Sequence, residues 1–464
     1  MTTLAIDIDD GALAIARDGD LVSMAPSIVQ AVPGARPLGA PALDQIRLRP
    51  REVSTRHWAQ IARGEGDLAA AVRLARAELQ ARAAAAGIAA NDIDALQVAV
   101  PSHFDAAALG RVLAVLRGAN WPVASFVDSA AVLCAAVAVP RTAIVIDVGL
   151  HHAAASRVAT DDSTARRKAV RLRSGQGLLA LQEAWLQLVS EAMVLRSRFD
   201  PLHDAATEQK LYEMLDAAAA AAARDGGVTI SLPVGAQTHE VRLSRDQFAA
   251  RAESVYRDLL GLVHELRPAG AALTLLVSER VASLPGLREQ FDTLQGCDWL
   301  VLPSGYAAVA ASLLAAPEQS HAADRVRLLR QVPFLAAPPH AAAIRREALG
   351  ASAAALRPPT HLLYGGRALP LASATILIGR EPGSGGLVLP EGMAGLSRLH
   401  CSVHDDHGEP VLIDHSRHGS FVNGERVSGR VRLRAGDVVR VGDPGIELSL
   451  IAVGDAPAAG ARAS

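Results

Sequence analysis

The sequence predicts a large α/β region followed by a compact all-β domain, and two observations carry that prediction. From Met1 to about Pro317, short β-branched runs (LAIDI, LQVAV, TAIVIDV, LTLLVS) alternate with Ala/Leu/Arg segments of helical length. After Thr360 the helical segments stop. HLLYGGRALPL, ATILIGR, HCSVHDD, PVLIDH, GSFVNGERV, RVRLRAGDVVRVG and IELSLIAV then follow one another, separated by Gly, Asp and Asn, at the spacing of a β-sandwich.

Within the first region, Asp10-Gly11 and Asp18-Gly19 read as hairpin turns between strands. GDLAAAVRLARAELQARAAAAG reads as a helix capped by Asp67 and stopped by Gly87, and Asp128 reads as the cap of another helix. The uncharged stretch from Trp299, interrupted by Pro303 and Gly305, reads as a buried strand, a turn and a helix. Residues 318–359 are Ala/Pro-rich and read as a linker, with a helical piece near Ala341 to Leu349; residues 455–464 read as a disordered tail. No tandem repeat is visible. The domains are therefore 1–317 and 360–454.

Charge and cysteine content exclude several roles. The chain has 464 residues and a net charge of −2, which gives no overall attraction to nucleic acid or to an anionic membrane. Cys134, Cys297 and Cys401 are far apart, which argues against a disulfide framework or a zinc site and fits a reducing cytoplasm. The acidic start MTTLAIDIDDG lacks the basic residues of a secretory signal, and Ser129 to Pro140 is too short to span a bilayer. His151-His152 is a poor chelating pair, because neighbours on a strand point to opposite faces.

The C-terminal motifs point to anion binding. Gly379-Arg380 closes a strand, SRLHC follows, then DHSRHGSFVNG and LRAGDVVRVG. Arg380, Ser397, Arg398 and Arg417 are donors on loops, and a guanidinium meets two phosphate oxygens at once while a hydroxyl completes the shell. In this order the motifs resemble the forkhead-associated (FHA) family, a phosphothreonine-binding β-sandwich. The resemblance implies that Arg380 and Ser397 bind phosphate and that Arg398 lies beside them. It places Arg417 and His418 where loop residues touch phosphate or peptide backbone. It makes Gly379, His400, Gly419, Asn423 and Gly424 scaffold. The family's usual Asn is His418 here, an exchange that bears on peptide selectivity.

The N-terminal motifs, in order, resemble the two-lobed actin-like (ribonuclease H-like) ATPase domain of the 70-kDa heat-shock chaperones. LAIDIDDG and TAIVIDVGLHH stand at the two phosphate hairpins, LTLLVSERVASLPGL at the adenosine segment and PSGYAAVAASLLA at the last connecting helix. The resemblance implies a vestigial nucleotide and Mg²⁺ site at Asp7, Asp147 and Gly149. The departures are pointed. Asp9-Asp10-Gly11 replaces Gly-Thr-Thr, Leu150-His151-His152 replaces Gly-Gly-Thr, and Ser278-Glu279 replaces Gly-Gly. A carboxylate about 4 Å from a phosphate costs roughly 4 kcal/mol at an effective dielectric of 20. No lysine precedes Lys168, so the family's first-lobe catalytic lysine is missing. A pseudo-ATPase with no catalytic residue, no resident metal and no required cofactor is expected, Mg-ATP being disfavoured. With the FHA resemblance, the expected function is a signalling adaptor. Its partner carries a phosphothreonine made by a Ser/Thr kinase, and neither nucleic acid nor membrane insertion is involved. An ATP-dependent chaperone-like switch and a phosphate-independent assembly scaffold are the alternatives.

Overall fold

The computed structural model describes residues 3–30, 40–89, 93–139, 142–268, 273–292, 294, 297–315, 326–349, 359–371, 375–390, 394–406, 409–423, 425–434, 437–442 and 445–451. The chain divides into two compact units. The first is Met1–Leu262 with Thr274–Gln290 and Trp299–Glu347; the second is Val263–Leu273 with Phe291–Asp298 and Ala348–Ser464.

The first unit holds two larger sheets built on one plan. Strands Thr3–Ile8, Leu13–Arg17 and Asp20–Ala25 form an antiparallel meander, and Ala95–Val100 and then Val123–Asp128 extend the sheet in parallel beyond its first strand. Thr142–Val148, His152–Thr160 and Thr164–Ser174 form a second meander, extended beyond its first strand by Leu273–Ser278 and Cys297–Leu302. Strand order thus repeats where the sequence does not. Both first strands carry an aspartate near their C-terminal ends, Asp7 and Asp147, and these ends face a shared cavity.

Local signals fix the helices. Asp67, Asp105 and Asp128 each accept a backbone N–H three residues on, from Ala70, Ala108 and Ala131. The helices that follow bury Ala71, Ala75 and Leu79, then Leu109, Val112 and Leu116, at helical spacing. Helix Leu178–Ser197 is long and apolar enough to cross a membrane by length and composition. Here it packs as a core helix: Trp185 meets Phe248 edge-on at 5.7 Å, and Gln182 and Ser190 bond to Asp216 and Asp200.

The stretch read as a linker is partly sheet. Arg327–Leu329 pairs with Val123–Asp128, and Gln331–Pro333 pairs with Thr164–Ser174. The helical piece near Ala341 is one 3-10 turn, Ala341–Ala343, followed by strand Arg345–Ala348. A sheet edge offers unpaired backbone groups, which satisfy short segments of weak propensity. The tail 455–464 lies outside the described residues.

In the second unit, residues from Thr360 form two facing sheets. One runs in the order Arg367–Pro370, His361–Tyr364, Ile446–Ile451, Val438–Val441, Ser420–Val422, Glu425–Arg426. The other runs Leu387–Val388, Ile376–Gly379, Cys401–Asp406, Glu409–Asp414, Arg430–Arg432. Alternate residues turn inward, and Leu362, Ile378, Val403, Leu412, Val439 and Leu448 make the core. The three cysteines are buried, and none of them forms a disulfide among the described residues.

Candidate functional site

One end of this sandwich gathers the sequence-predicted residues. Arg380 follows strand Ile376–Gly379, and its N–H donates to the Ser397 carbonyl at 3.2 Å. Glu381 N–H donates to the Arg398 carbonyl at 2.9 Å, so the Arg380 strand end and the Ser397-Arg398 loop run side by side. Gly379 is obligatory for that approach, since a Cβ there would collide with the Arg398 carbonyl. The Arg417 N–H reaches the Ser397 hydroxyl at 3.4 Å and brings in the third loop.

His400 ties these loops together from below. Its Nδ1 accepts the Ser397 N–H at 3.2 Å, so the proton sits on Nε2, which donates to the Gly419 carbonyl at 3.3 Å. Burial, opposed by the Gly419 contact, holds this imidazole below its usual value and therefore neutral at pH 7. Asp414 folds the third loop by accepting from Ser416 N–H at 3.1 Å and the Ser420 hydroxyl at 2.9 Å. Burial alone would raise Asp414, but these bonds hold it below the usual carboxylate range. Buried Asn423 donates to Asp437 at 2.7 Å and accepts from Val438 N–H at 2.9 Å, which fits a supporting turn. Gly424 lies outside the described residues.

Arg380, Arg398, Arg417 and His418 are exposed. None of their side chains makes an ion pair among the described residues. The loop that carries two of them already has its carboxylate, Asp414, committed to backbone and hydroxyl donors. Rigid loops thus hold open cations and a hydroxyl at one place. Residues 376–442 match the family model of the FHA domain. The FHA match covers Arg380, Ser397, Arg398, Arg417 and His418 together with the loops that frame them. FHA domains bind phosphothreonine-containing proteins and are not enzymes. A search of curated proteins finds none that matches the chain.

The cleft of the first unit is arranged differently. A cavity of about 120 Å³ is lined by Asp7, Asp9, Ser102, Asp147, Arg280 and Tyr306, among others. Arg280 bridges it, 3.1 Å from Asp9 and 3.1 Å from the Val148 carbonyl. Burial disfavours the Arg280 charge, but Asp9 and Asp147 outweigh it and hold the group above its ordinary value. Asp7 is pushed up to about 7, first by burial and then by Asp147. Asp9 is raised for the same two reasons.

Asp10-Gly11 is not the two-residue turn that the sequence predicts. Strand pairing ends at Ile8 and Leu13, leaving a four-residue loop, and Gly11 is not among the residues at positive φ. Gly11 leaves room for Arg280: a Cβ there would lie 2.5 Å from the guanidinium, which would have to shift. Asp10 turns inward and accepts the N–H groups of Leu150 at 2.8 Å and His151 at 3.3 Å, with His152 Nδ1 at 3.3 Å. A Cβ at Gly149 would collide with the Asp10 carboxylate, so that glycine admits an internal anion. Burial opposes both charges of the pair. Their mutual bond dominates, raising His152 to about 9 and holding Asp10 well below its usual range. His151 instead bonds Thr55, so the two rings serve different partners; His151 precedes the strand His152–Thr160 rather than alternating along it.

Asp128 caps its helix as expected and also accepts from Ser102 at 2.8 Å and Arg167 at 2.7 Å. Arg280 was not singled out by the sequence reading. It sits on the short helix Glu279–Ala282, capped by Ser278, where the resemblance expected a glycine pair. The detectable signal was the aspartate-rich first hairpin, which needs a cation.

Proposed function

We propose that the chain is a non-catalytic adaptor whose FHA module captures a phosphothreonine on a partner protein modified by a Ser/Thr kinase in a reducing cytoplasm. The observation that carries this reading is the set of cations at one rigid sandwich end whose side chains make no ion pair among the described residues. Arg380, Ser397 and Arg417 are aligned by backbone bonds and by the neutral His400 beneath them. A phosphothreonine brings about −1.5 to −2 charges and three acceptor oxygens. The Arg380 guanidinium takes two oxygens, the Ser397 hydroxyl and Arg417 take the remaining lone pairs, and Arg398 and His418 face the peptide. Binding of a phosphothreonine peptide library to the full chain, lost on dephosphorylation and in Arg380→Ala, is the expected result. Equal binding with and without phosphate would refute it.

In this reading the first unit is a pseudo-ATPase of the actin-like, heat-shock-70 type that serves as a docking platform. Three observations support it. The strand order is duplicated, with Asp7 and Asp147 at matching strand ends. The N–H groups of Leu150 and His151, where a phosphate would be gripped, are held by Asp10. The cavity, about 120 Å³, is small beside the roughly 300 Å³ at which ligand pockets begin. The residues present do not fit Mg-ATP: Asp9 and Asp10 repel a triphosphate, and Arg280 spans its place.

A further inference from the structure

We infer that the partner segment carries a second anionic group, a carboxylate or a phosphate, within about three residues of its phosphothreonine, and that Arg426 receives it. This rests on the phosphothreonine reading above and goes beyond it by naming the chemistry of the flanking sequence.

Arg426 is on the edge strand Glu425–Arg426, directly opposite Phe421, which is also opposite Arg440. Ser420 and Val422 are buried on either side of Phe421, so Phe421 faces outward. Arg426, Phe421 and Arg440 therefore form a row on the outer face of the sheet. The Arg440 guanidinium stacks 4.3 Å over the Phe421 ring. The stem of Arg426 leans the other way, along Gly419. A Cβ on Gly419 would lie 3.2 Å from the Arg426 Cγ and Cδ, and the positive φ of 93° keeps a glycine at this position. The side chain is thereby aimed at the loop that holds Arg417 and His418.

Charge counting shows what it lacks. Arg430 and Arg432 on the opposite sheet have Asp406 and Glu409 as partners. The Arg426 side chain is exposed and makes no ion pair or hydrogen bond among the described residues, like the side chains of Arg380, Arg398 and Arg417. Four open guanidiniums exceed what one phosphate dianion neutralises. An extended peptide advances about 3.3 Å per residue, so a cation one loop away from the phosphate seat meets a residue two or three positions along.

The test is fluorescence anisotropy of the full chain with four short peptides around one phosphothreonine. Their flanks carry alanines, glutamates, lysines or a single phosphoserine. Glutamate flanks should bind about three- to fivefold tighter than alanine flanks, lysine flanks should bind weaker, and the order should compress as salt rises. The phosphoserine arm shows whether phosphate or carboxylate is preferred. In Arg426→Gln the glutamate-to-alanine ratio should fall toward one, and Arg426→Lys should restore part of it. A ratio near one in the parent chain, or one unaltered in Arg426→Gln, overturns the inference while leaving the phosphothreonine reading in place. Binding that ignores the phosphothreonine itself overturns that reading and the inference with it.

Discussion

Arg280 and Arg380 present the same chemical group in opposite situations. Arg280 lies in a cleft, 3.1 Å from Asp9 and bonded to the Val148 carbonyl. Arg380 stands at a sandwich end with its backbone fixed and its guanidinium without an ion pair among the described residues. Around Arg280 other charges are matched as well, Asp10 with His152 foremost. In the loop beside Arg380, Asp414 serves backbone and hydroxyl donors rather than a cation. A site whose charges have internal partners is stabilised by them and closed to outside ions. A site whose framework is satisfied while its charges are not is ready for a ligand.

The largest expected effect breaks the closed half of this contrast. Asp10→Ala leaves a buried imidazolium and two N–H groups without their anion. Removing one partner of a buried pair costs about 3–5 kcal/mol, so thermal unfolding of the first unit should move down by several degrees. A change below about 1 kcal/mol would mean that Asp10 does not hold the cleft.

Next comes the open half. Arg380→Ala removes charge-assisted bonds of about 1.5–3 kcal/mol each, so phosphopeptide affinity should fall by roughly a hundredfold. Its melting temperature should barely move, because the side chain has no ion pair among the described residues to lose. Arg280→Ala should do the reverse and lower stability. If Arg380→Ala destabilised the chain as much as Arg280→Ala, the contrast would fail.

A smaller effect sharpens the cleft account through pH. His152 is raised to about 9 from an ordinary 6.5, so its stabilising charge is complete below pH 6.5 and is lost as pH rises through 9. Asp7, raised to about 7 from 3.8, acts in the same direction over a lower window, since folding favours its protonated form. Thermal midpoints should therefore decline between pH 6.5 and 9, and His152→Gln should flatten that decline. A midpoint that rises over this window contradicts the assignment.

What the sequence disclosed was local. Asp67 and Asp128 act on N–H groups three residues away, and Asp18-Gly19 forms its turn with both residues at positive φ. The FHA loops were readable because each donor sits at a fixed offset from a glycine or a strand end. The cleft was not readable, because Asp9 and Arg280 are 271 residues apart and meet only through the fold. Asp10 was misread for the same reason: its partners, Leu150 to His152, lie 140 residues and more away. Strands 327–329 and 331–333 were hidden by short, Arg- and Pro-containing sequence that pairs only because two sheet edges are offered.

The most direct measurement is calorimetric titration of the full chain, first with a phosphothreonine peptide and then with Mg-ATP in the same buffer. The account predicts saturable heat from the peptide, abolished by phosphatase, and none from the nucleotide. Heat from micromolar Mg-ATP alongside a silent phosphopeptide would contradict it.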